Sequence, residues 1–445
     1  MNRAFTIVEL LLVIVVIGIL AAVVLVAYNG ISREAIHATM QGDLDTTTKL
    51  AEAYNIENGE YPTYLEEIKS NTSSFRASGG NKITYVKSDD GYCVEVSNPQ
   101  TDRIIRSAGY ADSETCLSNV RIPEPVAVSS GYIEGATCGR RNFVASNDLS
   151  VLLARCSSGP YWYSYSLDGG VSWVKASSIA SYSSGQIFAL SGDGMRAYSG
   201  FHANSSESDK YCVYSSTRAS ASASFGFGSM YNSCNGAQTL AIDDSGDTLL
   251  KSGARVGQHA QVKTPDSPSL ITVNALGGVN NGGSLTGAAV SGDGSVCALV
   301  STNSGNVGIS TSNCKTWSGS SSKLCGVSST DLYFSYDGSK LVLFGRTESS
   351  TNELVLYLRE QKACIPINPK GAPASLTHFA MSDDGRKMAA VSEYQLFTST
   401  NGGAAWVRGA EGCTKVSSPV IAADGSKIGI VCTRGSVTTY DLTSW

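Results

Sequence analysis

Apolar residues follow different patterns in successive parts of the chain, and the first part predicts one long helix. Residues 10–27 carry no polar side chain, and with Phe5–Val8 they match the length of a membrane-spanning helix. After Tyr28, apolar residues recur with a period near 3.6 as far as Tyr54, so the helix should continue outside the membrane. It should end at "NGEYP", residues 58–62, because Asn and Gly favour a left-handed end and Pro prevents resumption.

Short alternating runs then predict strands. "KITYV" (82–86) and "YCVEV" (92–96) are joined by "SDDG", which is a hairpin signal. We expect a small antiparallel sheet packed on the helix. This first unit should end near Val120, and "RIPEP" (121–125) should form a short, stiff linker.

One phrase recurs seven times after the linker: an apolar run, a turn of the Asp-Gly type, and a second apolar run. The turn positions are Asp148, Asp193, Ser245, Asp293, Asp337, Asp384 and Asp424. Their spacing runs from 40 residues (384 to 424) to 52 (193 to 245), near the length of a four-stranded propeller blade. The pattern predicts a seven-bladed β-propeller over residues 126–445.

The last repeat is too short for four strands, since only 21 residues follow Asp424. The segment "VAVSSGYIE" (126–134) precedes the first repeat where a fourth strand would stand. We expect it to complete the last blade and leave no exposed edge.

A second phrase follows several of these turns. It reads "SLDGGVSW" (166–173), "STSNCKTW" (310–317), "STNGGAAW" (399–406) and, shortened, "TYDLTSW" (439–445). The first copy resembles the Asp-box of sialidase-like and sortilin-like propellers, and the others resemble degenerate boxes. The resemblance implies a structural turn between the third and fourth strands, with members Ser166, Asp168, Gly170 and Trp173 in one copy and Ser399, Asn401, Gly403 and Trp406 in another.

The first residues carry a further resemblance. A short basic leader precedes "AFTIVELL" (4–11), and the apolar helix contains one carboxylate, Glu9. This arrangement resembles the amino terminus of type IV pilins and pseudopilins. The resemblance implies cleavage by a prepilin peptidase between Ala4 and Phe5, methylation of the new amine on Phe5, and a role for Glu9 in assembly. There Glu9 would pair with the amino-terminal ammonium of a neighbouring subunit, which offsets the cost of burying either charge.

Two features depart from the pilin pattern, and one alternative stays open. Ala4 stands where the family usually has glycine, and the helix lacks the proline of many major pilins. The alternative is a secretory signal peptide or a plain membrane anchor. The apolar run is longer than the 7–15 residues usual for a signal peptide, which favours the pilin interpretation.

The predicted fold is therefore an α+β pilin module followed by an all-β propeller. The expected parts are a leader (1–4), a long helix (5–55, with 5–28 in the membrane or filament core), a pilin head (56–120), the linker (121–125) and the propeller (126–445).

The twelve cysteines include no Cys-x-x-Cys pair and indicate disulfides made in an oxidising compartment. The pilin resemblance implies Cys93 with Cys116. Equivalent positions around two turns suggest Cys138 with Cys156 and Cys413 with Cys432. The remaining assignments, Cys212 with Cys234 and Cys314 with Cys325, leave Cys297 and Cys364 over.

Charge and motifs exclude several classes of function. A net charge of −5 with 16% charged residues gives no basic stripe for nucleic acid. Four scattered histidines show no zinc spacing. The sequence contains no phosphate loop, no G-x-S-x-G elbow and no Cys/His constellation, so we expect neither an enzyme nor a metal or cofactor site.

Three stretches carry candidate chemistry. "RIP" with Arg121 matches an Arg-Ile-Pro of sialidases, but it lies in the linker. "DDSGD" places Asp243, Ser245 and Asp247 as calcium loops do, although the repeat favours a plain turn. "YWYSYS" (161–166) places Tyr161, Tyr163 and Tyr165 on one strand face and Trp162 on the other, for sugar stacking or, as we favour, for packing.

Together these features predict a type IV pilus subunit, minor or at the tip, whose propeller binds a glycan or a polar protein surface. Its partners would be other pilin subunits through the helix, the prepilin peptidase, and the cell membrane before assembly on the cell surface. Two alternatives stay open: a glycosidase displayed on the pilus, and a main structural pilin with a bulky domain.

Overall fold

The computed structural model divides into two compact units, Met1–Arg121 and Ile122–Trp445. The division falls within the predicted linker. The structure describes residues 7–62, 64–65, 67–68, 77–88, 91–101, 104–107, 116, 126–132, 143–154, 162–177, 186–201, 213–227, 229–230, 237–253, 260–273, 285–301, 305–346, 352–369, 376–392, 395–409, 413, 415–434 and 437–444.

The first unit contains a long helix and a small antiparallel sheet. These are α1 (Ile7–Asn58), β1 (Lys82–Ser88), β2 (Gly91–Ser97) and β3 (Ile104–Arg106), with the sheet in the order β1-β2-β3. The helix ends at Asn58, where the predicted stop signal "NGEYP" begins and three residues beyond the predicted domain bound of 55. The side-chain amide of Asn58 (Nδ2) donates to the Tyr54 carbonyl at 2.9 Å, and Gly59 follows with φ 77°, so the Asn-Gly pair forms the end of the helix.

The sheet packs on the outer part of α1. Met40, Leu44 and Ala51 form one apolar core with Val94 and Val96 of β2. The disulfide Cys93–Cys116, which the pilin resemblance implies, is present and buried beside this sheet.

The residues on which the predictions of membrane insertion and processing depend lie largely outside the described residues. Ala4 and Phe5 lie outside them, and so does the side chain of Glu9, although its backbone belongs to α1. Within the described part of the chain, no helix is found to be both long enough and apolar enough to span a membrane. Cleavage, methylation and the pairing of Glu9 stay predictions.

The second unit consists, in its described ranges, of seven four-stranded antiparallel sheets. Sheets 1 to 3 contain β5 (Phe143–Ala145), β6 (Leu152–Ala154), β7 (Trp162–Ser166) and β8 (Val174–Ser177); β9 (Gln186–Leu190), β10 (Arg196–Phe201), β11 (Tyr214–Thr217) and β12 (Ser229–Met230); and β13 (Ala237–Ile242), β14 (Leu249–Gly253), β15 (Gln261–Thr264) and β16 (Ser267–Thr272). Sheets 4 to 6 contain β17 (Leu285–Val290), β18 (Cys297–Ser301), β19 (Asn306–Ser310) and β20 (Ser318–Lys323); β21 (Ser328–Phe334), β22 (Lys340–Arg346), β23 (Asn352–Leu358) and β24 (Ala363–Pro366); and β25 (Leu376–Met381), β26 (Met388–Ser392), β27 (Gln395–Ser399) and β28 (Val407–Gly409).

Sheet 7 joins the two ends of this unit. It contains β29 (Lys415–Ile421), β30 (Lys427–Arg434), β31 (Val437–Ser444) and β4 (Val126–Tyr132), in the order β29-β30-β31-β4. The segment before the first repeat thus supplies the fourth strand of the last sheet, as the repeat count predicts. β4 runs antiparallel to β31, with Val126 opposite Ser444 and Tyr132 opposite Thr439.

The apolar core lies between neighbouring sheets. Tyr440 of sheet 7 stacks on Phe143 of sheet 1, with ring centroids 5.5 Å apart, and meets Trp173 edge-on at 6.1 Å. Leu250 of sheet 3 packs in the same way with Leu285 and Leu299 of sheet 4. The unit is therefore an all-β, propeller-like domain.

The disulfides of this unit correct one predicted pair. Cys314 bonds Cys297, and Cys325 bonds Cys364, so the pairing of Cys314 with Cys325 is wrong. The turn after β19 brings Cys314 back beside the start of β18, where Cys297 stands, whereas Cys325 follows β20 and meets β24 of the next sheet. Cys413–Cys432 forms as predicted, and Cys138, Cys156, Cys212 and Cys234 lie outside the described residues.

Candidate ligand site on the ring of turns

The aspartates of the repeated phrase hold the turns between first and second strands. In sheet 4, the buried Ser291 hydroxyl donates to Asp293 Oδ1 at 2.6 Å, and the Ser295 amide donates to the same oxygen at 2.9 Å. The Val296 amide in turn donates to Ser291 Oγ at 3.0 Å. Burial opposes the charged form of Asp293, but these hydrogen bonds outweigh it and lower the pKa of the carboxyl group. The aspartate is therefore ionised and engaged in the turn.

Three of the Asp-box phrases occupy turns between third and fourth strands, whereas "TYDLTSW" (439–445) lies in the third strand β31 as far as Ser444, so the prediction of a turn there is wrong. Ser166 Oγ donates to Asp168 Oδ1 at 2.8 Å, and the Gly170 amide donates to Ser166 Oγ at 2.8 Å. The Trp173 indole donates to the Gly170 carbonyl at 3.0 Å. The copy formed by Ser399, Asn401, Gly403 and Trp406 repeats these contacts, with Ser399 Oγ to Asn401 Oδ1 at 2.9 Å and Trp406 Nε1 to the Gly403 carbonyl at 3.0 Å. These side chains hold turns together.

A circular series of backbone hydrogen bonds connects the seven first-to-second turns of the described sheets. We call the residue just before each turn position a ring residue; the ring residues are Asn147, Gly192, Asp244, Gly292, Tyr336, Asp383 and Ala423. The Asn147 amide donates to the Gly192 carbonyl at 2.7 Å, and the series continues from turn to turn until the Ala423 amide donates to the Asn147 carbonyl at 2.7 Å. The seven turns therefore lie at one face of the unit.

Two ring glycines make room for larger neighbours. The side-chain amide of Asn147 fills the space beside Gly192, and its Nδ2 donates to Asp244 Oδ2 at 2.6 Å. The Tyr336 ring fills the space beside Gly292, where an added Cβ would lie about 3.0 Å from Tyr336 Cε2. Because these contacts need glycine, Asn147 and Tyr336 are held in place on the ring.

A cavity of about 700 Å³ opens on this face at the turns of sheets 5, 6 and 7. Its lining consists of Tyr336, Asp337, Ser339, Lys340, Asp383, Asp384, Ala423 and Asp424. The volume lies within the range of small-molecule sites. Tyr336 is 46% exposed, so one of its surfaces is open to a ligand.

Asp383 differs from the other carboxylates of the cavity. Asp337, Asp384 and Asp424 each accept a turn hydrogen bond, at 2.7, 2.6 and 2.8 Å. In the described part of the chain, no hydrogen bond or ion pair engages the Asp383 carboxylate. Burial, with a contribution from Asp244 and the adjacent turn aspartates, raises its pKa to about 6. Asp383 therefore changes charge in mildly acidic solution and can accept a hydrogen bond from a ligand.

Of the two alternatives for "YWYSYS", the two tyrosines that the structure describes show the favoured one, packing, and do not form a platform for sugar. Tyr163 and Tyr165 are 3% and 6% exposed. They meet Phe227 and Phe225 edge-on, with ring centroids 5.5 and 5.7 Å apart, and burial raises the pKa of Tyr163 to about 12. These aromatics pack sheets 1 and 2 together. Tyr161 and the side chain of Trp162 lie outside the described residues.

The possible calcium loop is a turn of the common type. Asp243 accepts from the Thr248 amide at 3.0 Å and from Ser245 Oγ at 2.9 Å, and Asp247 forms an ion pair with Arg196 of sheet 2. Among the described residues, no group of His, Cys, Asp or Glu side chains converges as metal ligands would. Arg121 lies outside those residues.

Sequence reasoning missed Tyr336 and Asp383. Both stand one residue before a turn position, where the other repeats carry Asn, Gly, Asp or Ala. Aligning the repeats would have shown one aromatic residue, Tyr336, and an aspartate in two repeats, at a position where three other repeats carry Gly or Ala. The cavity combines hydrogen-bond acceptors, the Lys340 amine and an exposed aromatic surface, which suits a ligand rich in hydroxyl or ammonium groups.

No family model matches the chain, and no curated protein is significantly similar to it. Among solved structures, it is similar to a chain in the crystal structure of a mitotic checkpoint complex. The TM-score is 0.51 at 12% identity, over 78% of this chain and 99% of that chain. At this identity the likeness concerns the fold alone, and it agrees with a propeller-like all-β domain.

Proposed function

We propose that the chain is a minor or tip subunit of a type IV pilus, and that its second unit is a closed seven-bladed propeller that serves as a binding head. The amino-terminal motif with Glu9, the long α1 and the disulfide-bonded head sheet support the pilus role. The circular series of backbone bonds and the pairing of β4 with β31 support the closed ring.

Size favours a subunit of low abundance. A globule of about 320 residues has a radius of gyration of about 20 Å, whereas packed helices lie about 8–10 Å apart. Heads of this width would crowd one another if every subunit of a helical filament core carried one. A main structural pilin remains the alternative, and the copy number in isolated filaments separates the two.

The cavity on the ring of turns is the observation that carries the binding role. Carboxylates accept hydrogen bonds from sugar hydroxyls or protein ammonium groups, and Tyr336 offers a face for stacking. Four carboxylates against the one lysine of the lining disfavour an anionic ligand. That charge argues against a sialoside as substrate, and so against the sialidase-like alternative.

The test compares adhesion by cells that carry cavity variants. Tyr336→Ala should leave the number of pili unchanged and weaken attachment, because losing a stacking contact worth about 1 kcal/mol lowers affinity about fivefold. Asp383→Asn should also weaken attachment, since it removes a charged acceptor. Asp193→Asn is the matched control, because Asp193 belongs to an equivalent turn outside the cavity lining.

Two results would change the proposal. Normal adhesion by both cavity variants would exclude the cavity as the site, and normal adhesion by cells lacking the whole protein would exclude the binding head. Release of sugar from a fluorogenic sialoside, abolished by Arg121→Ala, would favour the glycosidase instead.

A further inference from the structure

β4 is the described strand of the second unit that lies nearest, along the chain, to the first unit. Val126 stands five residues after Arg121, where the units divide (126 minus 121). β4 is also the outermost strand of sheet 7 and is paired on one side, with β31. Tension passed along the chain from the first unit therefore reaches Val126 before any other described strand of the second unit.

The first unit can transmit tension along the chain with little extension of its own. Its disulfide links Cys93 to Cys116, so a load carried by the chain at Cys93 crosses directly to Cys116. The 22 residues between them (94 to 115) stay out of the load path. The core shared by α1 and β2 holds the rest of this unit together.

Three strands of sheet 7 are held by contacts that do not involve β4. β31 pairs with β30 along its whole length, from Ser444 opposite Lys427 to Val437 opposite Arg434. The core toward sheet 1 includes Tyr440 and Leu442 of β31 and Val431 of β30. Release of β4 therefore leaves a three-stranded sheet with an apolar face still covered.

We propose that β4 is a clasp that detaches under tension and pairs again when the tension falls. This inference rests on the proposed function, since a pilus would supply the tension. The next described strand, β5, begins at Phe143, 17 residues after Val126 (143 minus 126). Release of the clasp would therefore add a contour length of at most about 60 Å. Rebinding is favoured because the strand remains tethered at a high effective concentration.

Single-molecule force spectroscopy on the full chain in detergent tests the proposal. Azide-bearing residues at Ile56 (83% exposed) and at Glu360, in the turn between β23 and β24, provide the two handles. We expect a first event of at most about 60 Å at the lowest force, reversible on relaxation. Unfolding of a whole repeat of about 45 residues would instead add about 150 Å.

Two controls isolate β4. A disulfide between opposed residues, Ser130→Cys with Asp441→Cys, should abolish the short event, whereas Thr433→Cys with Thr438→Cys, which joins β30 to β31, should leave it. Moving the first handle from Ile56 to Val171 (62% exposed), within the second unit, should also remove the event.

Persistence of the short event in the Ser130–Asp441 variant, or a first event near 150 Å, would overturn the clasp. The measurement needs neither a filament nor a ligand. Its failure is thus distinct from failure of the pilus proposal, which the adhesion assay tests.

Discussion

Replacing Asp383 by asparagine should stabilise the second unit at neutral pH. Burial raises the pKa of this carboxyl group from 3.8 to about 6. The folded state therefore binds a proton more tightly than the unfolded state does, and between about pH 4 and pH 6 the folded state holds more protons. The contribution of Asp383 to the free energy of unfolding is thus complete below pH 4 and is lost as the pH rises to about 6. Asparagine removes this loss.

The magnitude of this stabilisation follows from the shift in the pKa of Asp383. About two pKa units correspond to at most about 3 kcal/mol, and because Asp383 is partly exposed, solvent screening reduces this to about 1–2 kcal/mol. With an entropy of unfolding near 2 cal/mol/K per residue, the 324 residues from 122 to 445 (445 minus 121) give an increase in Tm of about 1.5–3 °C.

Thermal unfolding of a 122–445 fragment at pH 4 and at pH 7 measures the change in Tm and in the free energy of unfolding at each pH. The increase in Tm caused by Asp383→Asn should be fully present at pH 7 and nearly absent at pH 4. Asp337→Asn is a control of opposite sign: burial opposes ionisation there, but hydrogen bonds from Ser335 and Ser339 lower the pKa of Asp337, so losing the charge should destabilise the protein at pH 7. If Asp383→Asn is no more stable than the unchanged fragment at pH 7, or gains equally at both pH values, the account of Asp383 is wrong.

Three further predictions concern assembly, packing and the disulfides. Glu9→Ala should leave the subunit in the membrane but keep it out of filaments, as fractionation and immunogold labelling would reveal; normal incorporation would contradict the pairing role. Gly170→Ala should destabilise the second unit by about 2–4 kcal/mol in urea unfolding. The φ of Gly170 is +87°, and the new Cβ would lie 2.8 Å from Tyr440 Cε1. An unchanged midpoint of unfolding would disprove that contact. Cys325→Ser should free the thiol of Cys364 and no other in a peptide map under non-reducing conditions.

The repeated turns could be predicted because their chemistry is local. Ser291, Asp293 and Gly294 lie within four residues of one another, and Gly294 takes a φ of 74° that glycine adopts at little cost. The same local rules predicted the helix end at Asn58 and the hairpin between β1 and β2. The origin of the fourth strand in sheet 7 could also be predicted by counting. The last repeat has residues for only three strands, so the fourth has to come from another part of the chain.

The cavity and two of the disulfides could not be predicted because they depend on distant parts of the chain. The pKa of Asp383 reflects burial first and then the charge of Asp244, which is 139 residues away (383 minus 244) and approaches through the circle of turns. Cys325, in the connection after β20, bonds Cys364 of β24 in the next sheet, a relation that spacing along the sequence does not contain. Propensity and periodicity act within a turn or a strand, so they do not reach such pairs.

The sheet order separates the proposed ligand site from the strand at which, in our proposal, tension would enter the second unit. The ring residues lie in turns between first and second strands, whereas β4 is the fourth strand of sheet 7. Seven backbone hydrogen bonds among the described turns hold the ring, and in sheet 7 that bonding involves Ala423, between β29 and β30, with no contribution from β4. Release of β4 should therefore lengthen the connection while Tyr336, Asp383 and Asp424 keep their positions. If both proposals hold, the second unit would release its outer strand under tension and still hold a bound ligand.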